Sequence, residues 1–420
     1  MRERTKEERI NYTIKKEKCV YPDRENWVLQ QQNAIRNVLD LSEYFPNIAP
    51  EFWEQMHELI KSNGLKFQIT PYILSQFPRD LLLEELKNST RFKQFFPPGE
   101  IYTSGGHDAY KIKDNREKLE EFPTSLLHHK YTNRALLRFR QCLGYCNFCF
   151  EAEGTLEEHP AKHKIVKLNE EEWQKSLKYI RDHPEIEEII FSGGEPLLLS
   201  NEKLEKYFKD IDTILKDPFG EKRIRFKRIH TRALTINPFR IDDEFVRILK
   251  EYKINDITFD VAHPDEITPE FIHAVEKIRF GAGPILAAHT PLLRGINVSE
   301  SLQESVDTLW ELFSRLYENN IKPYYLLHSM PHTPFADKQR VSVNDGIQIM
   351  KKLKRHKSNI ALPEYIIPHD SGKITVPPER QVNAYFNHRE DDKGNPIIKF
   401  VNRKGKRVEY PDIKDVITKA

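Results

Sequence analysis

ALLRFRQCLGYCNFC, residues 135–149, holds the two signals from which fold and chemistry are read. Ala135 to Arg140 is a short, largely apolar run of strand length, and three cysteines follow it at once. Cys142, Cys146 and Cys149 are spaced Cys-x3-Cys-x2-Cys. Three thiolates ligate three irons of a [4Fe–4S] cube and leave the fourth iron open. An open position marks a catalytic rather than a structural metal centre. The other reading of such thiols is a zinc site, which wants a fourth ligand that one of the 16 histidines would have to supply. A disulfide framework would scatter its cysteines, whereas here only Cys19 stands apart.

Working outward, the next strand-like run ends about 45 residues later in FSGGEPLLL, residues 191–199. Two glycines let backbone groups approach a ligand closely, and Glu195 offers an acceptor for an ammonium group. Further strands are predicted at Ile186–Phe191, Phe226–His230, Asp256–Val261, Pro284–His289 and Lys322–His328, with helical patterns between them. Asn169 with Glu172 and Ser301 with Glu304 read as capping boxes, and Thr268-Pro269 as a helix start. Asn319-Asn320 ends the helix that begins at Ser301. Strand and helix alternating about six times predict an α/β fold, a full or partial (β/α) TIM-type barrel with its chemistry at the C-terminal strand ends. Residues 1–110 read as a helical N-terminal region, with helices over Trp27–Leu41 and Phe52–Ile60 and a Pro/Gly-rich link at 96–107. The barrel core spans 111–365, and 366–420 forms a C-terminal segment whose hairpin turns at Arg403-Lys404-Gly405.

Of 420 residues, 66 are Lys or Arg and 64 Asp or Glu, a net charge of +2. That balance gives no field to draw nucleic acid or an anionic membrane. No run approaches the roughly 20 apolar residues of a membrane-spanning helix. The start, MRERTKEERI, lacks the apolar stretch of a signal peptide, so a cytoplasmic location is expected.

Ordered stretches from Leu127 to Asp412 resemble the lysine 2,3-aminomutase family of radical S-adenosylmethionine (SAM) enzymes. They are HHKYTNRALLRFRQCLGYCNFC (128–149), FSGGEPLLL (191–199), RIHTRALTINPFRI (228–241), DVAHPDEIT (260–268), PLLRGIN (291–297), KPYYLL (322–327) and SGKITVP (371–377). The resemblance implies three cofactors: the cluster on Cys142, Cys146 and Cys149, SAM, and pyridoxal 5′-phosphate. It places Phe148 at the aromatic position between the second and third cysteines. It sets Gly193, Gly194 and Glu195 against the methionine part of SAM, Arg232 near the same ligand, and His289 at a cofactor-side strand end. Lys130, Tyr131 and Arg134 match the stretch that holds the pyridoxal phosphate group, and Lys373 the lysine that binds the cofactor covalently. The implied reaction uses a 5′-deoxyadenosyl radical to move an amino group from C2 to C3 of the bound amino acid. Implied partners are a small amino acid or amine substrate, an electron donor such as flavodoxin or ferredoxin, and further copies in a homo-oligomer; no nucleic acid or membrane is implied.

The chain departs from the family's lysine enzymes at the substrate. The arginine that grips the substrate carboxylate is replaced by Glu151. One aspartate for the distal ammonium aligns near Met330, and the other falls within Ile366–Asp370, at Pro368 or Asp370. The cysteines of a structural zinc are absent. These changes open the substrate to amines other than lysine. Two further readings stand beside this one: a radical SAM enzyme of another reaction type without pyridoxal phosphate, and a non-enzymatic iron–sulfur electron carrier or sensor. His263 reads equally as a turn histidine or an active-site group.

Overall fold

A computed structural model describes residues 25–62, 64–96, 119–149, 151, 169–214, 223–331, 333, 335–369, 372–377, 387–401, 406–414 and 416. Cys19, Asp370, the turn at 403–405 and nearly all of the 96–107 link lie outside these residues. Among those described, nine strands form one sheet in the order β1 to β9, so each strand neighbours its successor in the chain. Strands β2 (Arg134–Phe139), β3 (Glu188–Gly193), β4 (Phe226–Thr231), β5 (Asp256–Asp260), β6 (Ile285–Leu292), β7 (Lys322–His328) and β8 (Glu364–His369) are all parallel. Helices α3 (Glu170–Asp182), α4 (Asn201–Asp212), α5 (Asp243–Glu251), α6 (Pro269–Gly281), α7 (Leu302–Glu318) and α8 (Val343–His356) make the crossovers. α1 (Trp27–Gln32) and α2 (Pro50–Ser62) precede them in the N-terminal region. β1 (Leu127–Tyr131) and β9 (Gly372–Thr375) run antiparallel at the two edges, and no ladder joins them. The α/β prediction therefore resolves to a partial barrel. The edge strands and β8 escaped the sequence reading because each is four to six residues long with no clean alternation.

The strands alternate, but the two faces carry different chemistry. Ala135, Leu137 and Phe139 of β2 are buried in the main hydrophobic core, as are Ile189 and Phe191 of β3 and Ile257 and Phe259 of β5. The intervening residues face a cavity of about 550 Å³: Arg134, Leu136 and Arg138 from β2, and Arg228, His230 and Arg232 along β4 and just past its end. A closed barrel packs its interior with branched apolar side chains. This one leaves it open and polar, which is a site rather than a core.

Helix caps hold as read, with one chemical difference. The side chains of Asn169, Thr268 and Ser301 accept from the backbone N–H three residues on. The expected reciprocal bonds are absent, because Glu172 accepts from Ser125 and Glu304 from Ser299 Oγ. His263 caps the 3-10 turn 264–266, its Nδ1 accepting from Asp265 N at 3.3 Å.

The N-terminal region departs further. A single helix over Trp27–Leu41 does not form. α1 stops at Gln32, Ile35 pairs in extended form with Ile69, and Asn37 caps a separate 3-10 turn, Val38–Glu43. The apolar spacing was right about burial, but tertiary backbone pairing won over helical continuation. Phe45, Trp53 and Phe96 share one continuous apolar core with the barrel strands. The terminal hairpin is three-stranded, with β10 (Asn387–Glu390), β11 (Pro396–Val401) and β12 (Arg407–Pro411).

Candidate active site

The cysteine loop leaves β2 at Phe139 and is held from both sides. Gln68 Nε2 donates to the carbonyls of Cys142 (3.1 Å) and Leu143 (2.8 Å). Asn147 N donates to Gln94 O at 2.8 Å. All three thiols line the cavity; Cys146 and Cys149 raise the proton affinity of Cys142, and Cys146 that of Cys149. Burial is the larger cause and pushes Cys142 and Cys149 well up. Ligation must therefore expel the protons, which is how metal binding couples to pH. Among the described residues no three His, Cys, Asp or Glu side chains converge as a single ion requires.

Arg232, just past the end of β4, clamps this loop. Its guanidinium donates to Cys146 Sγ, to Gln94 and to Glu266 Oε1 (2.8 Å), and it lies 4.9 Å from the Phe148 ring. Phe148 in turn packs against Leu293, Ala262 and Ile296. Removing Arg232 leaves Glu266, which is 1% exposed, as a buried charge without its cation. Arg232→Ala is expected to cost about 3 kcal/mol of stability, read by denaturant unfolding of the apoprotein, with Arg232→Lys recovering part of it. An unchanged midpoint would mean that the clamp is incidental.

The Gly-Gly-Glu segment closes the end of β3. Gly193 has φ +93°, and a Cβ there would meet the backbone of Arg138 and Phe139 at 2.6–2.7 Å. Gly194 N–H donates to Phe139 O and Glu195 N–H to Gln141 O at 2.7 Å. The close approach that the glycines permit is thus toward the strand and loop that carry the cysteines. The Glu195 carboxylate is already engaged: Oε1 accepts from Leu197 N (2.9 Å) and Thr231 Oγ1 (2.7 Å), and Oε2 from Arg232 N (2.9 Å). Burial nonetheless pushes it up to about 7. A cation brought against its remaining lone pair would draw it back down.

Lys373 enters the same cavity from β9, on the far edge of the sheet. Gly372 before it has φ +119°, a region that favours glycine. The lysine side chain is accessible, but the space it faces is walled by protein. Burial therefore lowers its ammonium to about 8, with Arg228 and Arg134 adding to the effect. Its Nζ lies 4.5 Å from the Tyr325 ring centre. His289 stacks on Tyr325 at 5.4 Å and sits 3.7 Å from Asp260. It is a mid-strand residue and not a strand end, because β6 runs on to Leu292 through its pairing with β7. Lys130, Tyr131 and Arg134 line the cavity from the β1–β2 hairpin. Arg134 stacks on Tyr131 at 5.0 Å and lies 3.7 Å from Glu188, and Lys130 lies 3.9 Å from Glu121.

Several residues that line the cavity are not singled out by the sequence. Arg228 bonds Glu188 (2.8 Å) and Asp256 (3.0 Å) inside the barrel. Arg138 forms an ion pair with Glu151, both largely buried. The position that bears an arginine in the lysine enzymes is therefore an acid with its own cation from β2. His230 and His328 line the cavity too, kept neutral by burial. The signal for this set was charge and histidine recurring at every second residue of a strand, as in Arg228, His230 and Arg232.

A family model described as the radical SAM superfamily matches residues 136–283. The chain is 28% identical over 387 residues to an L-lysine 2,3-aminomutase of Methanococcus maripaludis, covering 91% of this chain and 83% of that one. It is 27% identical over 401 residues to a glutamate 2,3-aminomutase of Clostridioides difficile, 93% of this chain and 83% of the other. With an L-lysine 2,3-aminomutase of Haemophilus influenzae it is 31% identical over 258 residues, 61% of this chain and 68% of that protein. The cysteine loop and the Gly-Gly-Glu strand end it packs on both belong to the matched stretch, and these relatives make the chain a radical SAM enzyme and a member of the lysine 2,3-aminomutase family.

Proposed function

We propose that this enzyme moves an amino group between adjacent carbons, C2 and C3, of an amino acid held on pyridoxal phosphate. One observation carries the reading: Lys373, an amine with depressed proton affinity, shares a single cavity with the three cysteines. The residues fit the three cofactors. Cys142, Cys146 and Cys149 would hold the cluster, and Gly193, Gly194, Glu195 and Arg232 flank the place for SAM. Lys130 and Arg134 offer cations to a phosphate. His230 Nε2 and His289 Nε2 are buried without a hydrogen-bond partner among the described residues, as suits atoms awaiting a polar ligand.

When bound, the cluster and SAM supply a carbon-centred radical, and pyridoxal phosphate supplies a conjugated system that takes up the migrating nitrogen. The chain's own part is positioning. Lys373 presents a partly neutral amine near pH 8, the form that adds to an aldehyde. Tyr324, Tyr325 and His289 form a stacked aromatic wall beside it. The neutral imidazoles of His230 and His289 neither repel a cofactor nor give up protons near pH 7. The apolar cover of Met330 and Phe335 limits water. A reduced flavodoxin or ferredoxin is the proposed electron source.

The test is anaerobic reconstitution with iron, sulfide and pyridoxal phosphate, followed by borohydride trapping and mass mapping. A parallel sample is reduced with SAM and assayed for 5′-deoxyadenosine. Label on Lys373 together with nucleoside formation supports the reading. Nucleoside without a labelled lysine would leave a radical SAM enzyme of another reaction type.

A further inference from the structure

β7 and the residue after it deliver His328 and Ser329 to the cavity, 1% and 7% exposed. His328 Nδ1 is bonded to Tyr365 OH at 2.7 Å, which leaves Nε2 without a partner among the described residues. Ser329 Oγ is likewise unpartnered. Buried polar atoms are nearly always satisfied, so two adjacent exceptions lining a cavity point to a ligand. Both residues are braced from behind. Ser329 O accepts from Arg340 Nε (3.3 Å) and Tyr410 OH (3.2 Å), and Arg340 also donates to Pro411 O at 2.6 Å. The C-terminal hairpin thereby sets where the pair points.

The surroundings say what kind of group fits. Pro291 and Leu327 lie side by side in the β6–β7 ladder, next to the pair. Met330, Thr333 and Phe335 follow along the chain and line the same cavity. None of these carries charge. Burial, with the Arg340 charge behind it, keeps the His328 imidazole neutral. An ammonium brought here would lose its water and meet the Arg340 charge behind the wall, and a carboxylate would lose its water while that guanidinium is already engaged by Ser329 O, Tyr410 OH and Pro411 O. A neutral imidazole and a hydroxyl can each give or take a hydrogen bond. We propose that the substrate is an amino acid whose side chain ends in an uncharged hydrogen-bonding group, an amide or a hydroxyl, held by His328 Nε2 and Ser329 Oγ. This rests on the amino-transfer reading above and adds the substrate class.

The probes are L-glutamine, L-asparagine, L-serine and L-threonine against L-lysine, L-glutamate and L-leucine, each added to the full reconstituted protein with pyridoxal phosphate. Binding is read as the shift of the pyridoxal absorption band, and 5′-deoxyadenosine formation is followed separately. One of the four uncharged polar amino acids should bind at least about tenfold more tightly than the other three probes, the value of one to two hydrogen bonds. His328→Phe and Ser329→Ala should each weaken that binding about tenfold, and His328→Gln should restore part of it, with label on Lys373 unchanged throughout. Preference for lysine, glutamate or leucine, or binding indifferent to His328→Phe and Ser329→Ala, overturns the proposal while a labelled Lys373 keeps the amino-transfer reading. Absence of label on Lys373 sinks both.

Discussion

Gly194→Ala is expected to strip the protein of its cluster. A Cβ on Gly194 would lie 2.7 Å from Phe139 O and nearer still to Gln141 O. Both are backbone atoms, so no side chain can swing aside. Either the end of β3 pulls away from β2 or the loop toward Cys142 shifts. Overpacking of this kind costs about 1–3 kcal/mol, and a displacement near 1 Å at a reacting centre costs about 10²-fold in rate. The variant should fold, retain little iron after reconstitution, and form 5′-deoxyadenosine at least about 10²-fold more slowly. Gly283→Ala is the control. Its φ of +71° strains an alanine where that of Gly194 does not, but its new Cβ meets nothing closer than Arg279 O at 3.8 Å, so it should lose some stability and no iron. If Gly194→Ala keeps a full iron complement, the close packing of the two strand ends is not what shapes the cluster loop.

Lys373 carries the second large effect. Lys373→Ala should abolish borohydride-stable labelling and reduce amino transfer by at least about 10³-fold, the order expected when a covalently acting residue is lost. The cluster cysteines are untouched, so the variant should still load iron. The pH dependence has a definite sign. In the folded protein Lys373 gives up its proton at about 8, against an ordinary value of 10.5. The rate of trapping should therefore rise through about pH 8 and then level, where an exposed lysine would still be climbing. The same shift bears on stability. Between about 8 and 10.5 the unfolded chain holds the more protons at this site, so unfolding becomes harder as pH rises through that window. Lys373→Ala should remove this contribution to the slope. A trapping profile still rising near pH 10 would show that the amine faces water.

The departures at substrate positions read differently once side chains are placed. Glu151 stands where the family's lysine enzymes carry an arginine. In the fold it is matched by Arg138, thirteen residues back along the chain and across the cluster loop. Met330 and Pro368 both line the cavity, and neither can serve an ammonium. Among the described residues this wall is furnished instead with His328 and Ser329, and Asp370 lies outside those residues.

The amino-acid sequence by itself determined the cluster loop, the glycine-rich strand end, the order of the six predicted strands and most helix caps. Each of these is written in residues close together along the chain, where spacing and short-range hydrogen bonding decide the outcome. Tertiary structure alone decided the rest. The bonds from Gln68 to the carbonyls of Cys142 and Leu143 bridge 74 and 75 residues, and that from Arg232 to Gln94 bridges 138. Contacts so distant leave no periodicity to read. The break in the Trp27–Leu41 helix follows from pairing with Ile69, a partner invisible from either segment alone. The polar interior has the same origin: a charged residue at every second strand position points either to water or into a cavity, and only the curl of the sheet decides which.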